Sequence, residues 1–139
     1  MSGVGGAEGV EVTPEQNKAR KWTLTVPADM GFLNLNQRMH WAPKAELTRK
    51  WRRTTLMCAQ VAKLPTNLDR VHITAHIIKP TNRSYDVHNL LPTLKAAIDG
   101  LVDYGLIPDD TNEHLVGPDL RQGGKGDPAI IITITEIPQ

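Results

Sequence analysis

A chain of 139 residues, 40% of them hydrophobic, is long enough for one domain with a buried core and too short for two. Its single cysteine, Cys58, excludes an internal disulfide and a cysteine-based zinc site, and a formal net charge of +1 excludes a uniformly basic or acidic protein. No window approaches the ~20 apolar residues of a membrane-spanning helix, so a cytoplasmic protein with no membrane partner is expected.

Residues 1–17 are rich in Gly and Glu and carry no apolar run of signal-peptide length; they are predicted to be a disordered tail, with a single domain over 18–139. Lys21 to Val26 sets Trp22, Leu24 and Val26 against Thr23 and Thr25, which predicts a strand ended by Pro27. An irregular polar stretch follows from Asn34 to Trp41. Pro43 suits the first position of a helix running to about Lys63, with Leu47, Trp51, Thr55, Cys58, Ala59 and Ala62 on its inner face. Trp41 is expected to cap the core, although both it and His40 have the chemistry to stack on an unpaired base. Arg70 to Lys79 alternates as a strand with Val71, Ile73, Ala75 and Ile77 on one side and the half-buried His72 and His76 on the other. Pro80 to Tyr85 is a loop carrying Arg83.

The span from His88 to Tyr104, read as one helix, buries Leu90, Leu91, Leu94, Ile98, Leu101 and Val102, places Pro92 in the first turn and has Gly105 as its C-terminal cap. A short strand around His114 to Leu120 and a Gly-rich hairpin turn from Gln122 to Asp127 are expected next, His114 being exposed. Gly123-Gly124-Lys125-Gly126 does not lead from a strand into a helix, so it is no phosphate-binding loop and no nucleotide cofactor is expected. Ala129 to Ile137 is a strongly β-prone closing strand. The sum is an α/β (α+β) fold: a small mixed sheet with two main helices packed on it, in the order β-α-β-α-β(β).

Charge is segregated along the chain. From Lys18 to Arg53 nine basic residues face two acidic ones, net +7; from Asp86 to Asp119 seven acidic residues face Lys95 alone, net −6. A basic half beside an acidic one is the electrostatic plan of an enzyme in which cations hold a phosphodiester backbone while carboxylates hold a metal. Asp86, Asp109 and Asp110 have the oxygen chemistry that Mg²⁺ takes, and an ion that keeps several waters needs few protein ligands. On one helix, His88, Lys95 and Asp99 share a face at spacings of seven and four. The same residues have a plainer account: Asp86 as a helix N-cap, Lys95 and Asp99 as a solvated ion pair, Asp109-Asp110 as a turn after Pro108.

Taken together, Asp86-x-x-Asn89-Leu90, Lys95-Ala96, Asp99-Gly100-Leu101, Gly105 and Asp109-Asp110, with Asn34-x-Asn36 upstream and an Ile/Thr-rich closing strand, resemble the RusA family of Holliday junction resolvases over roughly Trp22 to Glu136. That resemblance implies a small homodimeric Mg²⁺-dependent endodeoxyribonuclease of phage or prophage type, acting in recombination and repair, that cuts four-way or branched DNA with paired symmetric nicks. It implies that Asp86 and Asp110 bind the metal, that Asp99 and Asp109 match further acidic positions, and that Lys95 is the functionally important lysine. The family pattern departs at His88, which stands where a second acid is common, and about three extra residues precede Lys95. His88 as a nitrogen ligand would favour Mn²⁺ over Mg²⁺. Arg38, Lys44, Arg49, Arg52, Arg53 and Arg83 are the candidate phosphate contacts. Two rival readings share these residues: a catalytically silent junction-binding protein, and a flap or single-strand nuclease.

Overall fold

The alternation of Trp22, Leu24 and Val26 with threonines makes Lys21–Pro27 a strand, β1, with Leu24 and Val26 buried and Thr23 and Thr25 exposed. The chain then builds helix α1 over Trp41–Ala62, β2 over Val71–Lys79, a 3₁₀ turn over Val87–Leu90, helix α2 over Leu91–Tyr104, β3 over Leu115–Lys125 and β4 over Ala129–Glu136. The structure, a computed structural model, describes residues 19–36 and 40–138; the tail expected over 1–17 and the candidate phosphate contact Arg38 lie outside them. No helix among the described residues is long and apolar enough to cross a membrane.

The four strands form one mixed sheet in the order β1-β4-β2-β3. β4 runs antiparallel to both β1 and β2, while β2 and β3 are parallel and joined through α2. The helices cover one face. Val71, Ile73, Ala75 and Ile77 of β2 and Ile130, Ile132 and Ile134 of β4 are buried under them with Trp51, Leu94, Ile98 and Leu101. Each large aliphatic side chain so buried contributes roughly 1.5–3 kcal/mol. The predicted α/β class and two-helix plan are therefore the observed ones.

Several expectations give way to geometry. The Gly-rich stretch is not a hairpin turn: Gly123, Gly124 and Lys125 belong to β3, and β2 lies between β3 and β4. A side chain at 123 would meet Ile78 Cδ1 at 2.7 Å and the carbonyl oxygen of Ile77 at 3.0 Å, and Gly124 sits at φ 101°, so glycine here accommodates a bulge between Ile77 and Ile78. Glycine reads as a turn in sequence because its use in a bulge requires knowledge of the neighbouring strand.

The second helix is not continuous from His88. Pro92 has no N–H to return to the carbonyl four residues back, that of His88, and Leu91 N–H bonds to it instead, which is a 3₁₀ closure. α2 starts at Leu91, with Pro92 in its first turn and Gly105 at φ 98° donating to Leu101 O and Val102 O at its end. Leu91, expected inside, is 44% exposed.

In α1 the inner face is Trp51, Thr55 and Ala59, while Ala62 is exposed in the last turn. The helix begins at Trp41, so Pro43 is its third residue, still among the N–H groups that have no partner within the helix. Trp41 does not cap the core; it is 81% exposed. Trp51 takes the core position, stacking with Phe32 and donating from Nε1 to the Gly31 carbonyl at 2.8 Å. His114 is the reverse case: expected in solvent, its side chain is 17% exposed and its Nδ1 lies 2.7 Å from the Asp69 carbonyl oxygen.

Candidate active site

Two groups of the expected residues assemble, on neighbouring elements. The first surrounds the 3₁₀ turn. Asp86 is its N-cap, in an extended conformation, and Oδ1 accepts from the His88 N–H at 3.0 Å; the His88 ring Nδ1 lies 3.4 Å from the same carboxylate. Both side chains are well exposed, 64% and 76%.

The second group is centred on Lys95. Its Nζ donates to Asp99 Oδ1 at 2.9 Å, one helical turn on, and to Asp110 Oδ2 at 2.5 Å across the loop after α2. Asp109 Oδ1 accepts the Asp110 N–H at 2.8 Å and so shapes the turn that presents Asp110. The hydrogen bond to Asp110, and then that to Asp99, pushes the Lys95 ammonium pKa up; the same bond from Lys95 holds the Asp110 carboxyl below its ordinary range. This is more than the solvated helix pair of the plainer account, because Lys95 joins two carboxylates fifteen and four residues from it.

The loop after β1 is bonded to this region as well. Thr93, buried in the first turn of α2, donates from Oγ1 to the Leu33 carbonyl at 2.8 Å and accepts the Leu33 N–H at 2.7 Å. Leu35 N–H bonds to the Asn89 carbonyl at 2.8 Å, and Asn34 Oδ1 accepts the Asn36 N–H. These bonds stitch Asn34-Leu35-Asn36 onto the turn that carries Asp86, His88 and Asn89. Segments some fifty residues apart, picked out together in the sequence, thus lie side by side.

Sequence reasoning missed the pocket next to this assembly. A cavity of about 350 Å³ is lined by Leu35, Leu91, Pro92, Ile98, Leu115, Gly117 and Pro118, with Lys95 and Asp110 as its charged edge. Its apolar lining flanks the Lys95–Asp110 pair on one side, while the lysine side chain, 59% exposed, keeps its other side in water. The Gly117-Pro118 dipeptide was the available signal, but it identifies no cavity without the loop that supplies Leu35.

The five residues expected to share one metal, Asp86, His88, Asp99, Asp109 and Asp110, are not drawn into one cluster: among the described residues no group of three or more His, Cys, Asp or Glu side chains is placed to hold an ion. His88 lies in the 3₁₀ turn that precedes α2, whereas Lys95 and Asp99 lie on α2 itself, so the three are not carried by one continuous α-helix as expected. The donor chemistry nevertheless fits a hard cation. Carboxylate oxygens are what Mg²⁺ takes, and one or two are enough when waters complete its shell.

Of the candidate phosphate contacts, Lys44, Arg49, Arg53 and Arg83 are exposed. Arg52 is committed elsewhere: Nε and Nη2 donate to the two oxygens of Asp103, at 2.5 and 2.8 Å, tying α1 to α2. That pairing raises the guanidinium pKa and lowers that of the Asp103 carboxyl. Arg49, by contrast, has only a loose 3.6 Å contact with Glu46, and both side chains are at least half exposed. Arg83 borders a small cleft with Tyr85 and Gln122. His72 and His76 are half-buried as expected, with His72 Nε2 2.6 Å from Asp119 Oδ2.

Compared with known proteins, the chain matches no family model and no curated sequence. What its fold and site define is a mixed α/β layer carrying a lysine between two carboxylates at the edge of an apolar pocket.

Proposed function

We propose that this protein is a metal-dependent, structure-specific DNA endonuclease resembling RusA, which resolves four-way junctions by paired symmetric nicks. The observation that carries the reading is the convergence of Asp99 and Asp110 on Lys95 Nζ, next to the Asp86-capped turn and the Asn34–Asn36 loop. Asp86 and Asp110 are the residues that would hold Mg²⁺ or Mn²⁺, with His88 beside Asp86 as a nitrogen donor and Asp99 and Asp109 supporting. A divalent ion held there supplies charge stabilisation to the phosphoryl group and makes a water more acidic. Lys95 neutralises negative charge that develops on the phosphate as the bond to the leaving 3′ oxygen breaks. Asp99 orients that ammonium. Lys44, Arg49, Arg53 and Arg83 position the backbone without reading sequence.

One observation favours the second reading, a junction-binding protein without chemistry: the Lys95 ammonium itself lies between two of the carboxylates that a metal would use. A nicking assay on synthetic four-way junctions, with Mg²⁺ and with Mn²⁺, tests the proposal. Symmetric nicks that vanish with a chelator are the expected result; tight junction binding without cleavage in either metal would leave the silent binder. Flap and single-stranded substrates in the same assay separate the remaining rival.

The basic residues give a prediction of their own. If Arg49 and Arg53 contact phosphates, Arg49→Ala with Arg53→Ala lowers the log–log salt slope of junction binding by roughly 0.9 per lost contact. Arg52→Ala leaves the slope unchanged, because its guanidinium is occupied by Asp103. Equal effects of all three would place the DNA across the α1–α2 contact instead.

A homodimer follows from the same reading. A junction offers two equivalent strands, and a two-fold pair of chains presents two equivalent sites. The exposed Leu35 and Leu91 beside the site are the surface that supports it. Light scattering on the full chain is expected to give twice the 15.4 kDa chain mass; a monomer with and without junction DNA would rule the dimer out.

A further inference from the structure

The largest aromatic surface left uncovered belongs to Trp41, 81% exposed at the first residue of α1. An indole costs free energy to leave in water, and the core does not need it, since Trp51 fills that place. Trp41 also does not stand alone. Lys44, Ala45, Thr48 and Arg49 follow it at three, four, seven and eight residues, which is one face of a helix. Together these five line an open groove of about 460 Å³. Trp41 and Arg49 stand about 12 Å apart along the axis, with the short side chains of Ala45 and Thr48 forming the floor between them. The Thr48 hydroxyl is turned down onto the Lys44 carbonyl at 2.8 Å, so the floor presents little polarity of its own.

We propose that this groove binds an unpaired nucleobase, stacked on Trp41, with the flanking phosphates held by Lys44 and Arg49. Charge selects nucleic acid as the occupant. Lys50 and Arg53 continue the cationic surface past Arg49, Glu46 is the one acid among them, and the first turn of α1 carries no acidic residue to cancel the positive end of the helix. A two-fold pairing of two copies through this face would bring the cationic surfaces of both copies together, which disfavours a self-interface. A flat π surface beside cations is the arrangement that retains single-stranded or unpaired bases regardless of sequence, since every base has a face to stack. Branched DNA offers such bases where its arms meet. The inference rests on the DNA-binding part of the nuclease reading and is independent of the metal chemistry.

The test is binding of the full chain, in chelator so that nothing is cut, to oligo(dT), to a blunt duplex of the same length and to a four-way junction. Trp41→Ala is expected to weaken oligo(dT) and junction binding by roughly 5- to 100-fold and to leave the duplex nearly unchanged. Trp41→Phe retains most of the affinity, because it retains a stacking ring. Wild type is expected to lose indole fluorescence on binding oligo(dT) and Trp41→Phe to lose much less, Trp51 being buried and Trp22 half-buried on β1 beneath Arg20. Equal affinities of wild type and Trp41→Ala for all three DNAs would overturn the base site while leaving the nuclease reading in place. Failure of wild type to bind any of them would overturn both. A change in oligomeric mass for Trp41→Ala, without loss of DNA binding, would make Trp41 a protein contact and also overturn the proposal. Because the side chain is exposed, both variants are expected to fold as the wild type does.

Discussion

Asp86→Asn and Asp110→Asn are each expected to reduce junction nicking by at least about 10²-fold while leaving junction binding within a factor of a few, as measured by single-turnover cleavage and by binding in chelator. The choice of asparagine separates two roles at position 86. Asp86 demonstrably caps the 3₁₀ turn through the His88 N–H, and asparagine caps as well as aspartate does. A loss of cleavage in Asp86→Asn therefore reports the missing charge and not a frayed turn; wild-type nicking would reduce Asp86 to a cap. At 110 the partner is Lys95, and the comparison is with Lys95→Met. Removing the ammonium leaves Asp99 and Asp110 facing one another without the cation that joins them, and removes the group that meets developing charge, again about 10²- to 10³-fold. Groups that act as a unit are not additive, so the double variant Lys95→Met with Asp110→Asn is expected to be no worse than the poorer single one. Multiplied losses would mean that the two act separately.

The parts legible in the sequence were those governed by local periodicity. The β2 alternation, the closing Ile/Thr strand and the Gly105 cap need only their own neighbours to be understood, and each stands where it was expected. The parts that were not legible depend on contacts distant in sequence. Nothing near Gly123 announces that Ile78 of another strand will occupy the space a side chain would need. Trp41 and Trp51 are ten residues apart on one helix, and which of them enters the core is decided by Phe32 and the Gly31 carbonyl. In the candidate site the split is similar. Lys95 with Asp99 follows from helical spacing, and Asp110 was singled out by type, but that Lys95 reaches Asp110 depends on the course of the loop after α2. Arg49, Arg52 and Arg53 looked alike as candidate phosphate contacts, but Asp103 occupies the Arg52 guanidinium.

Gly100 is expected to be the least replaceable residue outside the site. It lies buried in the middle of α2, where glycine costs about 1 kcal/mol of helix propensity relative to alanine, so by propensity alone Gly100→Ala should stabilise. The contact with α1 reverses the sign. A Cβ at this position would lie 2.3 Å from the Arg52 carbonyl oxygen and 3.1 Å from Thr55 Cβ. The first of these is backbone in the middle of a helix, which no rotamer change can move, so the two helices must separate. Overpacking of this kind costs typically 1–3 kcal/mol, and here separation also pulls Arg52 away from Asp103, on the same contact. Gly100→Ala is therefore expected to destabilise by about 1–2 kcal/mol net of the propensity gain, and Gly100→Val, with two further carbons and a β-branch, by roughly 3 kcal/mol or more. Urea unfolding of the two variants measures both values. Because Asp99 precedes Gly100 and Lys95 lies on the same helix, the displacement carries the ammonium away from Asp110, and nicking by folded Gly100→Ala is expected to fall along with its stability. A Gly100→Ala variant more stable than wild type would show that α1 and α2 do not meet as closely as this, and would take with it the geometry that sets Lys95 between its two carboxylates.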